Sequence, residues 1–307
     1  MDVVALTPRG YCHGVVGAIN TLRTIGQQSD VPRPIYVLGR VVHNEKIVND
    51  FEELGIITLE GESRLDMLDR VEGGSVVITA HGASRGVFEK AYAKGLHVID
   101  TTCSDVYTSQ RTMEDYTKQG YTVVFIGKHT HPESETARTI DGVRIVQTTD
   151  EAKKLRIDNP HIAITNQTTM SLYDIYPIAQ TIKTTYPQSV LIEEICDATK
   201  TRQEAVMNQD SSIEHCFVVG DPGSNNTAQL ARVSHSVGIP ATRIPSVEGL
   251  DVTMLKNLSK VSVTAGASTP TPLAREVIRF LRAFEANDPK THDTHSAIKR
   301  TNLFKKQ

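Results

Sequence analysis

Nine short apolar runs punctuate the chain: VVAL (3–6), PIYVLG (34–39), SVVITA (75–80), HVID (97–100), TVVFIG (122–127), HIAIT (161–165), SVLIEEI (189–195), CFVVG (216–220) and KVSVTA (260–265). They are rich in β-branched residues, and most are continuous rather than alternating apolar and polar. Strands that read this way are covered on both faces, as in parallel sheets. Between them lie segments with a helical period, such as KIVNDFEELG (46–55), TSQRTMEDYTKQG (108–120) and TRQEAVMNQ (201–209). The pattern predicts an α/β protein built on parallel sheets.

The residues just beyond each run are as regular as the runs themselves. In chain order they are Cys12; His43 and Asn44; His81; Cys103; His131 and Glu133; Thr168 and Thr169; Cys196; Ser224, Asn225 and Asn226; and Ser268. In open α/β sheets ligands bind beyond the carboxyl ends of strands, so these groups are candidates for one crevice. Counted from its cysteine, each third places a second polar group at +31 (His43), +28 (His131) or +30 (Asn226), and a third at +69 (His81), +65 (Thr168) or +72 (Ser268). The cysteines are 91 and 93 residues apart. A repeat this long is not that of a solenoid. It predicts three similar α/β units, 1–96, 97–188 and 189–286, with a polar tail at 287–307.

Composition narrows the chemistry. The chain has 307 residues, 39% hydrophobic and 22% charged, with a net charge of −3 from 33 basic and 36 acidic side chains. No basic field recommends nucleic acid as a partner, and no apolar run approaches the roughly 20 residues that span a bilayer. The start lacks the basic and apolar regions of a secretory signal. Four cysteines in that setting predict a reducing compartment, the cytoplasm, where cysteines serve as ligands or catalysts more often than as disulfides. Cys216 breaks the spacing and sits inside an apolar run, so it reads as a small buried hydrophobe. The other three lack the local C-x₂₋₄-C pairing of structural zinc sites. Isolated thiolates from distant segments suit an iron–sulfur cubane with one iron left open, and zinc held by three cysteines and a histidine is the alternative.

Around that trio stand groups suited to anions and protons. His43, His81 and His131 can bind an anion or relay a proton. Glu133 is either an acid whose proton is retained by desolvation or a carboxylate that stabilises a helix start. The loops Gly220–Thr227 and Gly266–Ser268 offer small polar side chains and backbone N–H groups, an anion cradle without a P-loop lysine.

Taken together, Pro8-Arg-Gly-Tyr-Cys-His-Gly-Val-Val16, Val41-Val-His-Asn44, Thr79-Ala-His-Gly82, Asp100-Thr-Thr-Cys103, His131-Pro-Glu133, Asn166-Gln-Thr-Thr-Met-Ser171, Glu194-Ile-Cys196, Ser224-Asn-Asn226 and Thr264-Ala-Gly-Ala-Ser268 resemble one family, in its order, over residues 1 to about 285. It is the 4-hydroxy-3-methylbut-2-enyl diphosphate reductases, which end the methylerythritol phosphate route to isoprenoids. The resemblance implies three α/β units in a trefoil around a central [4Fe-4S] cluster, one per chain, held by Cys12, Cys103 and Cys196. It implies an allylic diphosphate substrate whose hydroxyl binds the open iron, and ferredoxin or flavodoxin as electron donor. Isopentenyl and dimethylallyl diphosphate are the products it implies. By the same match Glu133 is the proton donor, with Thr168 its partner and His131 linked to substrate binding and proton delivery. His43, His81, Ser224, Asn226 and Ser268 match diphosphate binders. Asn225 stands where many relatives have serine, and its amide still donates. A quinolinate-synthase-like enzyme also gathers three units around a cluster, and a non-enzymatic metal-binding or redox-sensing protein is the reading from a different class.

Overall fold

A computed structural model describes residues 1–42 and 44–295, apart from the side chains at 45 and 46. His43 and the end of the tail therefore lie outside the described residues. Among those described, twelve strands occur: β1 (Asp2–Ala5), β2 (Ile35–Leu38), β3 (Ile56–Leu59), β4 (Ser75–Ile78), β5 (His97–Asp100), β6 (Thr122–Ile126), β7 (Val143–Val146), β8 (Ile162–Asn166), β9 (Val190–Leu191), β10 (His215–Val219), β11 (Ala241–Ile244) and β12 (Lys260–Ala265). They form three four-stranded sheets, ordered β3-β2-β4-β5, β7-β6-β8-β9 and β11-β10-β12-β1. Every pairing within them is parallel.

All nine apolar runs are strands. The three strands not foreseen, β3, β7 and β11, occupy the same place in each sheet, the edge opposite the cysteine-bearing strand. Their sequences, IITL, VRIV and ATRI, carry a threonine or arginine within a four-residue strand. An edge strand needs less apolar cover than a central one, so its signal is diluted. The run SVLIEEI pairs over only two residues, because the Glu194 N–H leaves the ladder for the Asn166 side chain (3.1 Å).

The sheets are phased differently from the units 1–96, 97–188 and 189–286. Each takes three successive strands and then the next cysteine-bearing strand: β5 leads to Cys103, β9 to Cys196, and β1 leads to Cys12 beside the last strands of the chain. Cys12 thus belongs with the loops of the final third rather than with His81. Two compact units result. One holds Met1–Cys12, Val42–Ile47 and the chain from Asp197 on, and the other holds His13–Val41 and Val48–Cys196.

Each central strand is buried on both faces. In the sheet containing β10, Phe217, Val219, Val261 and Val263 pack one way under the helix Thr271–Ala283. Cys216 and Val218 face the other way, onto Leu230 and Val233 of the helix Asn225–Ser236. Cys216 is fully buried, as expected of a structural cysteine, and burial pushes its thiol pKa up. In the sheet containing β6, Val124, Ile126 and Ile164 pack under the helix Leu172–Thr185, while Val123 and Phe125 meet Met113 of the helix Ser104–Lys118. Among the described residues no helix is long and apolar enough to cross a membrane.

The turn into β4 depends on Gly74. Its φ is +86°, and an added Cβ would collide with the Pro34 carbonyl, which also accepts the Ser75 N–H (2.9 Å). Gly74→Ala should therefore cost about 2–4 kcal/mol. Denaturant unfolding measures this, and an unchanged midpoint would contradict the assignment.

Candidate active site

The three spaced cysteines occupy equivalent turns. Each follows an edge strand and directly precedes or caps a helix, at His13–Gln27, Ser104–Lys118 or Asp197–Met207. Each backbone N–H donates across to a carbonyl beyond the end of the neighbouring strand: Cys12 to Ala267 (3.0 Å), Cys103 to Ala80 (3.0 Å) and Cys196 to Thr168 (3.1 Å). All three are half-buried and free of disulfides. A helix N-terminus suits an anionic ligand at such a turn.

Around Cys103 the packing is close. A Cβ on Gly14, two residues after Cys12, would lie 2.8 Å from the Cys103 sulfur, so only glycine fits there. His13 Nε2 stands 3.4 Å from the same sulfur and 3.6 Å from Asp105 Oδ2. Nothing in the spacing of the motifs pointed to His13 or Asp105.

Glu133 lies in the first turn of the helix Pro132–Ala137, started by the fixed φ of Pro132 and capped by His131. Its side chain is 4% exposed. Oε2 accepts the Thr168 N–H and Oε1 accepts the Thr168 hydroxyl, both at 2.9 Å. His81 Nδ1 is 3.5 Å from Oε1, and the two imidazoles meet edge to face with centroids 4.8 Å apart. Four residues from two sheets, His81, His131, Glu133 and Thr168, are thus brought together.

The electrostatics of this cluster differ from a simple desolvated acid. Burial alone would raise the Glu133 pKa, but hydrogen bonding from His81 and from the Thr168 N–H outweighs it and holds the carboxyl below its usual range. Near neutral pH it is a carboxylate. His131 is shifted in the same direction but for a different reason: burial first, then the proximity of His81, push its pKa down to about 3. Its Nδ1 accepts the Glu133 backbone N–H (3.3 Å), so the proton of the neutral ring sits on Nε2. The 3.9 Å approach of His131 to Glu133 is therefore not an ion pair.

Behind the cluster lies a buried arginine, paired with a half-buried glutamate, that the sequence did not reveal. Arg64, 4% exposed, donates its backbone N–H and its guanidinium to Glu135 (3.0 and 3.2 Å) and reaches the Thr79 hydroxyl (3.0 Å). It joins the helix Arg64–Asp69 to the Glu133 helix, and its charge contributes to keeping His131 neutral.

In the other compact unit, Ser224 caps the helix Asn225–Ser236, and its hydroxyl lies 3.3 Å from that of Ser268. Asn226 is committed at both ends of its amide, accepting the Ala267 N–H (2.9 Å) and donating to Thr199 (3.2 Å). It therefore ties the Ser268 loop in place, with Asn225 half-buried beside it. Arg202, also buried, grips the carbonyls of Ala198 (2.6 Å) and Gly10 (2.7 Å) and fixes the loop before Cys12. Thr199 and Arg202 had no local signal, since Asn226 and Gly10, which they hold, lie far away in sequence.

A family model described as LytB protein matches residues 3–282. The chain is 46% identical over 301 residues to the 4-hydroxy-3-methylbut-2-enyl diphosphate reductase of Geobacillus thermodenitrificans, spanning 97% of this chain and 95% of that one. It is 45% identical to the enzyme of the same name from Bacillus subtilis, spanning 97% and 96%. Among solved structures, the E-1-hydroxy-2-methyl-but-2-enyl-4-diphosphate reductase from Plasmodium falciparum superposes with a TM-score of 0.83 at 29% identity, covering 94% of this chain and 89% of that one.

The two perturbed groups predict a pH dependence. The His131 ring stays neutral in the folded state down to about pH 3, whereas an unfolded ring protonates near its ordinary 6.5. Its contribution is complete above 6.5 and falls as the pH drops, by up to about 1.4 kcal/mol per pH unit. Glu133, with its folded pKa lowered, acts in the same sense at lower pH, its stabilisation being lost as the pH falls through the folded value. His131→Asn keeps a capping acceptor and removes the titration. Its acid-denaturation limb between pH 6 and 4 should be shallower by about one proton; an unchanged slope would exclude a buried neutral His131.

Proposed function

The chain belongs to the LytB protein family, whose curated relatives are 4-hydroxy-3-methylbut-2-enyl diphosphate reductases, and on that footing we propose that it reductively removes the hydroxyl of the allylic diphosphate for which they are named. Two electrons and two protons replace the C–O bond by C–H and release water, giving isopentenyl and dimethylallyl diphosphate. The observation that carries the reading is the threefold cysteine turn, with its N–H bonds of 3.0, 3.0 and 3.1 Å.

The residues fit an iron–sulfur cluster. Three half-buried cysteines at helix starts, outside any disulfide and with no local pair in sequence, make a soft donor set, and the Gly14 position leaves the Cys103 sulfur room that a Cβ would fill. Cys12, Cys103 and Cys196 would hold a [4Fe-4S] group. When bound it would supply electrons and a Lewis-acidic iron for the departing oxygen.

The protein's own residues do the rest. Ser224, Ser268 and the N–H groups of their loops bind the diphosphate, with Asn226 positioning them and Asn225, His81 and His43 completing the anion set. Remote binding of the diphosphate orients the hydroxyl end. Thr168 fixes the Glu133 carboxyl through two hydrogen bonds, so its protons are delivered from a defined point. Glu133 starts as a carboxylate and must be loaded. His81, 36% exposed and 3.5 Å from Oε1, links it to solvent. Negative charge arriving with the diphosphate raises the affinity of Glu133 for that proton. His131, neutral with its proton on Nε2, donates a hydrogen bond without adding charge. The electrons come from an external donor of the ferredoxin or flavodoxin class.

Anaerobic purification tests the reading. We expect brown protein with about four irons and matching sulfide that consumes the diphosphate when reduced. A colourless, folded protein holding one zinc and inert toward the substrate would sink the proposal. Glu133→Gln should keep the iron and lose at least about a hundredfold in turnover; wild-type turnover would exclude Glu133 as proton source. Replacing Cys12, Cys103 or Cys196 should lose iron, and Gly14→Ala should lower its occupancy, whereas Cys216→Ser should retain it.

A further inference from the structure

The last long helix, Thr271–Ala283, carries Arg275, Arg279 and Arg282 at positions i, i+4 and i+7, along one exposed face. Arg9, from the loop after β1, stands beside them. The four guanidinium-bearing side chains border a cavity of about 530 Å³ whose other lining residues are Ala5, Ile278 and Ala283. Among the described residues no carboxylate lines it. None of the residues given a catalytic or substrate-binding role above lines it either.

Two features mark this cavity as more than a solvated basic face. Arg9 is held in place rather than free to swing: its guanidinium donates to the Leu6 carbonyl (2.8 Å), the Thr7 hydroxyl (2.9 Å) and, at 3.4 Å, the Ala5 carbonyl. A fixed donor loses little entropy on meeting an anion. Arg9 is also crowded by like charge: burial first, then Arg275 and Arg282, lower its pKa. An anion in the hollow would offset the like charge that Arg275 and Arg282 place beside Arg9. Guanidinium forks match phosphate oxygens, while the alanine and isoleucine floor offers nothing to a purely ionic ligand. The volume lies in the range of small-molecule pockets.

We infer that this cavity binds a small organic phosphate or diphosphate whose apolar portion rests on Ala5, Ile278 and Ala283, at a site additional to the one bearing Ser224 and Ser268. The chemistry fits a short alkyl or allyl phosphate ester better than inorganic phosphate. It does not require a cluster or a reductant.

Calorimetric titration of the full-length protein with hexyl diphosphate provides the test, alongside the double variant R279E/R282E. The wild type should bind at two sites. The variant should lose one of them, or weaken it by at least about tenfold, while turning over substrate at the wild-type rate. Inorganic diphosphate should bind the arginine site more weakly than hexyl diphosphate. R279K/R282K, which keeps the charge without the fork, should weaken binding less than the glutamates, and it stands in for them if they disturb folding. An isotherm identical in wild type and variants would overturn the inference. So would equal affinity for hexyl and inorganic diphosphate, or a variant that binds hexyl diphosphate normally and loses only its response to an acidic protein reductant, which would make the face a docking surface. Wild-type protein that binds hexyl diphosphate at two sites but fails to reduce the allylic substrate would refute the proposed function and leave this inference standing.

Discussion

The structure depends on one recurring constraint: each spaced cysteine donates its backbone N–H across to the carbonyl of Ala267, Ala80 or Thr168, just past the end of the adjacent strand. A single such bond contributes only about 1 kcal/mol. Its importance is positional. In a parallel pair, a slip of one residue would carry the cysteine about 3.3 Å along the strand and turn alternate side chains to the wrong face. The bond marks the register in which a sulfur-bearing turn sits beside a polar-residue turn. Because the sheets share one strand order, the same local solution is used three times with different polar groups: Ser268 beside Cys12, His81 beside Cys103, Thr168 beside Cys196.

A second layer of organisation serves charge. Sinking the Glu133 carboxylate costs several kcal/mol by desolvation, and charge-assisted hydrogen bonds of about 1.5–3 kcal/mol each offset it. Both Thr168 donors are spent on that one carboxylate. Arg64 acts from behind, locked to Glu135 and Thr79, so its positive field is a fixed feature of the pocket. The outcome is two neighbouring titratable groups both held deprotonated, one as a charged carboxylate and the other as a neutral imidazole. That separation allows one to carry protons while the other only donates a hydrogen bond.

Much of this was legible in the sequence, for a physical reason. Strands of parallel sheets covered by helices must be apolar on both faces, so nine of them betrayed themselves, and their ends pointed to Cys12, Cys103, Cys196, Glu133 and Thr168. The edge strands β3, β7 and β11 did not, because a side open to water tolerates Thr58, Arg144 and Arg243. The phase of the repeat was also hidden. Spacing counted from each cysteine cannot tell whether a strand pairs with a later neighbour in the chain or with an earlier one. Arg64, Arg202 and Thr199 were illegible, since nothing local distinguishes a gripping side chain from a solvated one. Asn226 was singled out by its place after β10, but its two committed amide ends appear only in three dimensions.

The pairing of β1 with β12 also has a temporal meaning. Cys12 leaves the ribosome well before Ala267, whose carbonyl fixes it. At roughly 5–20 residues per second, that partner emerges on the order of ten seconds or more later. The sheets of β5 and β9 can close as they are made, whereas the first strand must wait unpaired for the last. The Cys12 thiol is thus the last of the three to be anchored, and the nascent chain cannot present a finished trio until Ala267 has emerged.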